Sequence, residues 1–273
     1  MLEFLAWGRN KDAAFGSTMT QASREFLVQD DISPTTDAVF GYSKKATIDL
    51  LKILLPDSTQ ISQLVEYNHA CTLWYHNSYS AYIFDSDLER FLINNGGNIR
   101  HSESDFQWRA LQFAISTGTL ACSPSRVRHS WGFEDPESSR LALQWYEACV
   151  LCLNVGQYTE RHTIHSVEAI ATLAIAAHIL GKSNSQFVIL SAAGRIAQSL
   201  GLHRLGVNNA GGSLEQRRCI EAGRRVFNQL CTQDWFQIPF SESYSLNPKF
   251  VSSERPINCN DENLEPQLQS AST

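Results

Sequence analysis

Charge is scarce in this sequence: 18% of its 273 residues are Asp, Glu, Lys or Arg, against about 25% in an average globular chain. Combined with six Trp, eight Tyr and fourteen Phe, that scarcity argues against disorder over most of the length. It implies much buried or partner-covered surface. Basic residues never cluster beyond pairs, at Lys44-Lys45, Arg217-Arg218 and Arg224-Arg225, and the formal net charge is −6. Affinity for phosphates comes from Lys and Arg displacing counterions, so the chain lacks the basic stripe of a self-sufficient DNA-binding module. Long apolar runs are missing too. Val167 to Leu180, the most apolar stretch, is interrupted by Glu168 and His178 and is too short to cross a bilayer. The start carries Glu3 and too short an apolar run for a secretory signal. Seven scattered cysteines, an odd number, read as reduced and mostly buried, which points to the cytosol or nucleus.

What is present is helical periodicity. Residues 1–43 mix short apolar runs with Gly, Ser, Thr and Pro34, and form an irregular N-terminal segment. From Lys44 the pattern turns helical, and Leu50, Leu51, Leu54 and Leu55 end at Pro56, which stops the first helix. Asp57 or Ser58 caps a second helix carrying Ile61, Leu64, Val65, Trp74 and Tyr75 on its apolar side. Asp85 or Ser86 opens a short helix through Leu92, and Asp105 to Leu120 reads as another, with Trp108, Leu111 and Ile115. Asp135-Pro136-Glu137 places a cap before a proline at the first helical position, and that helix runs to Gly156. Thr163 to Leu180 is apolar almost all round and belongs between neighbours. Asn184 or Ser185 opens the next helix, which stops at Gly201. Ser213-Leu-Glu-Gln216 matches a capping box for a helix to about Phe236. No strand-rich stretch competes. The expected fold is all-α: a bundle-like helical domain over 44–245, followed by a polar, partly disordered tail over 246–273.

No local pattern selects a catalytic or metal site. Cys149-Val-Leu-Cys152 has the spacing of paired thiolates, but it lies in an apolar helix without a second pair, so core packing is expected. His162, His165 and Glu168 have spacings of three and three, whereas a helical pair of zinc-binding histidines stands at i, i+4. Gly181-Lys182-Ser183 echoes the end of a phosphate-binding loop, but that motif's first Gly would fall at Ala176 inside a helix. Gly41-Tyr-Ser43 fails as a nucleophile elbow because Lys45 occupies the closing Gly position. Trp235-Phe236, Phe240 and Tyr244 read as core or as a ligand-pocket wall. Catalytic, cofactor-binding and metal residues are therefore all expected to be absent.

Several stretches together resemble the central regulatory region of fungal zinc binuclear cluster transcription factors. They are Leu5-Ala-Trp-Gly-Arg9, Leu55-Pro56 with the helix from Leu64 to Tyr75, and Ser130-Trp-Gly-Phe133. Ser166-Val-Glu-Ala-Ile170, Ala177-His-Ile-Leu-Gly181 and Arg195-Ile-Ala-Gln-Ser-Leu-Gly-Leu-His-Arg204 extend the likeness. Gly223-Arg-Arg-Val-Phe227, Gln233-Asp-Trp-Phe-Gln-Ile-Pro-Phe-Ser-Glu-Ser-Tyr244 and Pro256-Ile-Asn-Cys-Asn-Asp261 carry it furthest. The resemblance implies an all-α regulatory domain that works in the nucleus, takes a small-molecule inducer or a protein co-regulator, and regulates transcription without being an enzyme. In that family zinc and DNA are bound by an N-terminal six-cysteine cluster. The first cysteine here is Cys71, so the chain reads as a middle piece lacking that cluster. Two other readings compete: a small helical hydrolase-like enzyme using His and carboxylates from different helices, and a helical-repeat interaction scaffold. The scaffold lacks the self-similar period it requires.

Overall fold

A computed structural model describes residues 44–95, 103–206, 213–259 and Leu264. Among them the chain is all-α, with no strand. Its helices in order are α1 (Lys44–Leu54), α2 (Ser58–Cys71), α3 (Leu73–His76), α4 (Ala81–Asn95), α5 (Glu103–Cys122), α6 (Ser125–Ser130), α7 (Asp135–Val155), α8 (Ile164–Ile179), α9 (Ser183–Ser199), α10 (Leu214–Phe236) and α11 (Ile238–Ser241). Short 3-10 turns follow α9 at Leu202–Arg204 and α11 at Pro248–Phe250. The segment 1–43 lies outside the described residues.

Local chemistry sets most of the boundaries. Asp57 and Gln60 form a reciprocal capping box on α2, with Gln60 N–H donating to Asp57 Oδ1 at 2.9 Å. Ser213 and Gln216 do the same for α10, as the sequence pattern indicated. These pairs satisfy two N–H groups that a helix start leaves without intrahelical partners. Gly181 (φ +72°) and Gly201 (φ +79°) take the left-handed backbone after α8 and α9, a conformation that costs glycine least. For α7 the cap is Glu134, one residue before the expected Asp135, with Pro136 in the first turn.

Two expectations fail near the N-terminal end. The helix opened by Asp57 does not continue to Tyr75. It breaks at Thr72 (φ −123°), whose hydroxyl donates back to Asn68 O at 3.1 Å, a competition that bends helices. Beyond the break Trp74 and Tyr75 are exposed, and the Trp74 indole N–H donates to Cys71 O rather than entering the core. Helix α4 starts four residues before Asp85, because Ser80 Oγ accepts from Ile83 N–H at 3.3 Å and Ser80 O from Phe84 N–H at 3.0 Å.

The organising element is α5. Every residue from Phe106 to Leu120 is buried, with α7 and α8 packed along its length and α2 on a further side. Helix α8 in turn packs on α9 and α10. Six of these buried positions are polar or charged, and several of them are tied to neighbouring elements. Gln107 donates to Gly156 O at 2.7 Å and Arg161 O at 2.8 Å, and it accepts from Thr163 Oγ1. One side chain thus ties α5 to the end of α7, the following loop and the cap of α8. Tyr79 donates to Asn68 Oδ1 at 2.7 Å, Asn68 Nδ2 to Thr119 Oγ1 at 3.0 Å, and Thr119 to Leu64 O at 3.2 Å. Arg109 is buried with its guanidinium 3.2 Å above the Phe91 ring, and it donates to Gln112 Oε1. Burial holds the Arg109 pKa down to about 9, so it keeps its charge at neutral pH.

Gln107→Leu keeps the volume and leaves the carbonyls of Gly156 and Arg161 without their donor. Each unsatisfied buried group costs about 1–3 kcal/mol. The variant is expected to lower the urea midpoint of unfolding by about 2–4 kcal/mol equivalent. A change below about 0.5 kcal/mol, the usual range for surface positions, would remove Gln107 from this role.

Candidate functional site

Site-like concavity in the described residues lies along α10. Residues 245–259, all but the first of them expected in the polar tail, run back along this helix and are fastened to it at both ends. At the near end the Asp234 carboxylate accepts from Ser245 N–H at 2.9 Å and Leu246 N–H at 2.7 Å, while the Trp235 indole donates to Leu246 O at 3.0 Å. Leu246 is buried over Gly194 of α9, where a Cβ would stand 3.3 Å from its Cδ2. Gly194 thus gives this leucine its seat. In the middle, His203 O accepts from Ser252 and Ser253 N–H, and Leu205 O accepts from Glu254 N–H. At the far end Glu221 Oε1 accepts from Ile257 N–H at 2.7 Å, and Arg225 donates to Cys259 O at 3.0 Å. We call this segment, 245–259, the strap.

Arg224 sits at the junction. Its Nε donates to Leu205 O at 3.2 Å and its Nη2 to Gly206 O at 2.7 Å, and Glu254 lies 3.3 Å away. Glu221 faces both arginines, 3.7 Å from Arg224 and 3.5 Å from Arg225. Burial raises the Glu221 pKa, while the Ile257 N–H and the two guanidinium groups pull it down. Between α10 and the strap a groove of about 400 Å³ remains, floored by Phe227, Cys231 and Trp235 and edged by Val251 and by the polar Arg224, Asn228, Ser253, Glu254 and Arg255. An apolar floor with a few polar groups at the rim is the ordinary make-up of a small-molecule site. Burial pushes the Cys231 thiol up to about 12, with Asp234 adding to the shift, so it carries no thiolate at neutral pH.

The motifs noted in the sequence are not brought together. Cys149 and Cys152 are fully buried, and burial raises both thiols well above their ordinary value. All seven cysteines are free, but fewer are buried than expected: Cys149, Cys152 and Cys231 are, whereas Cys71 and Cys122 are exposed. Thiols are short enough to sit at helix ends without disturbing packing, so their number did not forecast their burial. His165 pairs with Glu168 at 3.3 Å, but His162 turns away to Ser199 and to Thr159 O. No group of three or more His, Cys, Asp or Glu among the described residues is arranged to hold a metal ion. Lys182 is engaged by Glu147 at 2.7 Å and Ser183 by His178 at 2.9 Å, which leaves Gly181 as a helix stop. The Gly41-Tyr-Ser43 stretch lies outside the described residues. Trp235 does line the groove, but Phe236, Phe240 and Tyr244 are exposed rather than core or pocket wall.

Besides the His162–Ser199 and His178–Ser183 contacts, one His–Ser pair lies in the core. His76 Nδ1 lies 2.8 Å from Ser78 Oγ, which lies 2.6 Å from Thr172 Oγ1. Ser78 has no exposed surface, and burial lowers the His76 pKa to about 4. The hydroxyl meets no substrate there, and the arrangement links α8 to the loop before α4. No described helix is long and apolar enough to cross a membrane. Comparisons with protein-family models, curated proteins and solved structures return no match.

Asp234→Ala removes the carboxylate that fastens the strap. Hydrogen bonds to a charged group contribute about 1.5–3 kcal/mol, and a loss of that size in unfolding free energy is expected. Cys231 alkylation should accelerate at least about tenfold, since a loosening of 1.4 kcal/mol corresponds to that factor. Unchanged alkylation would show that the strap does not depend on Asp234.

Proposed function

We propose that the chain is a helical regulatory domain of the fungal zinc-cluster transcription-factor type, acting by contact at the α10 groove rather than by chemistry. The observation that carries this reading is a convergence. Four stretches that resemble the family, separate in sequence, meet around one groove. Arg195–Arg204 supplies the 3-10 turn whose His203 carbonyl holds the strap. Gly223–Phe227 supplies Arg224, Arg225 and the Phe227 floor. Gln233–Tyr244 supplies the Asp234 fastening and the Trp235 wall. Pro256–Asp261 supplies Ile257 and Cys259, which close the far end. Residues chosen for a shared regulatory surface would be grouped in this way, whereas residues chosen only to form helices would be spread through the core.

The groove accepts an apolar molecule with one polar or anionic end. The aromatic floor takes the apolar part, and Asn228 with the exposed Arg255 takes the other, beside Glu254. Its volume falls in the ~300–1,000 Å³ range of ligand sites. Occupancy that differs between two states of the domain would shift their balance. On this reading DNA contact and zinc belong to a cluster outside this polypeptide, and the place of action is the nucleus. The low basic content supports the separation of roles, because the chain offers no stripe for phosphates.

Two measurements test the proposal. Fused to a heterologous DNA-binding domain in a fungal reporter strain, the chain is expected to change reporter output, and Asn228→Trp, which fills the groove mouth, to abolish the change. The unfused chain is expected to leave promoter DNA unshifted in a gel at moderate salt. A fusion without effect on the reporter, or sequence-specific retardation by the chain alone, would overturn it.

A further inference from the structure

The stretch from Trp235 to Leu246 forms a loop whose ends are joined. Helix α10 finishes at Phe236, α11 adds one turn, and the chain returns to its starting level where the Asp234 carboxylate and the Trp235 indole grip Ser245 and Leu246. The loop is held internally as well. Phe240 and Ser241 N–H donate to Gln237 O, and Ser241 Oγ donates to Ser243 O at 3.0 Å. Compact loops with tied ends often carry function, and their tips are ordinarily small or polar. This one is aromatic and points outward. Phe240 is 86% exposed, Phe236 74%, Phe250 just beyond the loop 73%, and Tyr244 50%.

We propose that this loop is the contact face for a second copy of the chain. The exposed area fits that occupant. With aromatic side chains presenting ~150–250 Å² each, the exposed aromatics and Ile238 amount to roughly 700 Å² per copy. A stable interface takes about 800 Å² from each partner, and a typical monomer leaves smaller patches bare. The charges fit as well. From Trp235 to Phe250 the only charged residues outside the Asp234 fastening are Glu242 and Lys249, opposite in sign. In a two-fold pairing, where the same surface meets itself, Glu242 answers the partner's Lys249. A single lysine gives little hold on a phosphate-bearing surface, whether nucleic acid or lipid. This proposal is independent of the groove's role.

Sedimentation equilibrium of the full chain over a wide concentration range tests it. A monomer–dimer equilibrium between 30.6 kDa and twice that mass is expected. Phe240→Glu, at a position open enough to leave the fold intact, should weaken dimerisation at least ~30-fold, the level of a hot-spot residue. Trp74→Glu, at an exposed aromatic on α3, should leave dimerisation unchanged. Circular dichroism of both variants should match the parent. A parent chain that stays monomeric throughout overturns the proposal, and shielding of Phe240 from hydroxyl-radical labelling in that monomer would identify another segment of the same chain as the occupant. Equal weakening by both variants, or none by Phe240→Glu, also overturns it.

Discussion

Burying α5 on every side is the constraint on which the rest of the structure depends. Over Phe106–Leu120, where α5 reaches no water, polar side chains gain by finding internal partners. Gln107, Thr119 and Arg109 find theirs on α7, α8, α2 and α4. Their bonds therefore fix how those helices are disposed, which apolar packing alone would leave looser. Gln107 is the clearest case, since the end of α7 and the start of α8 both close on its amide. Once α8 is set against α5, α9 and α10 have an apolar surface to dock on, and the α10 groove inherits that frame.

A second layer of polar fastening sits on this frame, and it is different in kind. Around α5 the fastening side chains are buried and, Arg109 apart, neutral. Around α10 they are charged: Asp234, Glu221, Arg224 and Arg225 hold backbone groups of the strap and of the 201–206 turn. Charged hydrogen bonds are stronger and more directional than neutral ones. They hold an extended segment that offers few apolar side chains of its own beyond Leu246 and Val251. The groove is the space left between this fastened segment and the helix. Its shape is set before any ligand arrives.

The sequence was most legible where one residue acts on its near neighbours. The cap at Asp57, the capping box at Ser213–Gln216, the stops at Gly156, Gly181 and Gly201, and the all-α class depend on spacings of a few residues, and each stands in the structure as read. Burial of α5 was not legible. Trp108, Leu111 and Ile115 mark a helix without showing that its Gln, Arg, Ser and Thr positions are covered too, and the carbonyls of Gly156 and Arg161 that receive Gln107 lie far off in sequence. Trp74 misled for the opposite reason: an apolar residue in helical register lies past a break that Thr72 makes through its own hydroxyl. The groove's second wall was hidden most completely. The strap binds mainly through its backbone, and backbone groups leave no trace in composition. Arg224-Arg225 was visible only as a basic pair and as part of a family likeness, not as the anchor of residues thirty positions further on.

The groove exists only if the strap is part of the fold, because a groove with one mobile wall would select nothing. Amide hydrogen exchange at Ser245, Leu246, Ser252, Ser253 and Glu254 measures this directly. Protection within about tenfold of that in α10 is predicted, since each of these N–H groups has a named acceptor and their opening would require the strap to detach as a unit. Exchange at the rate of an unstructured peptide would contradict it, and would leave α10 with a bare face rather than a site.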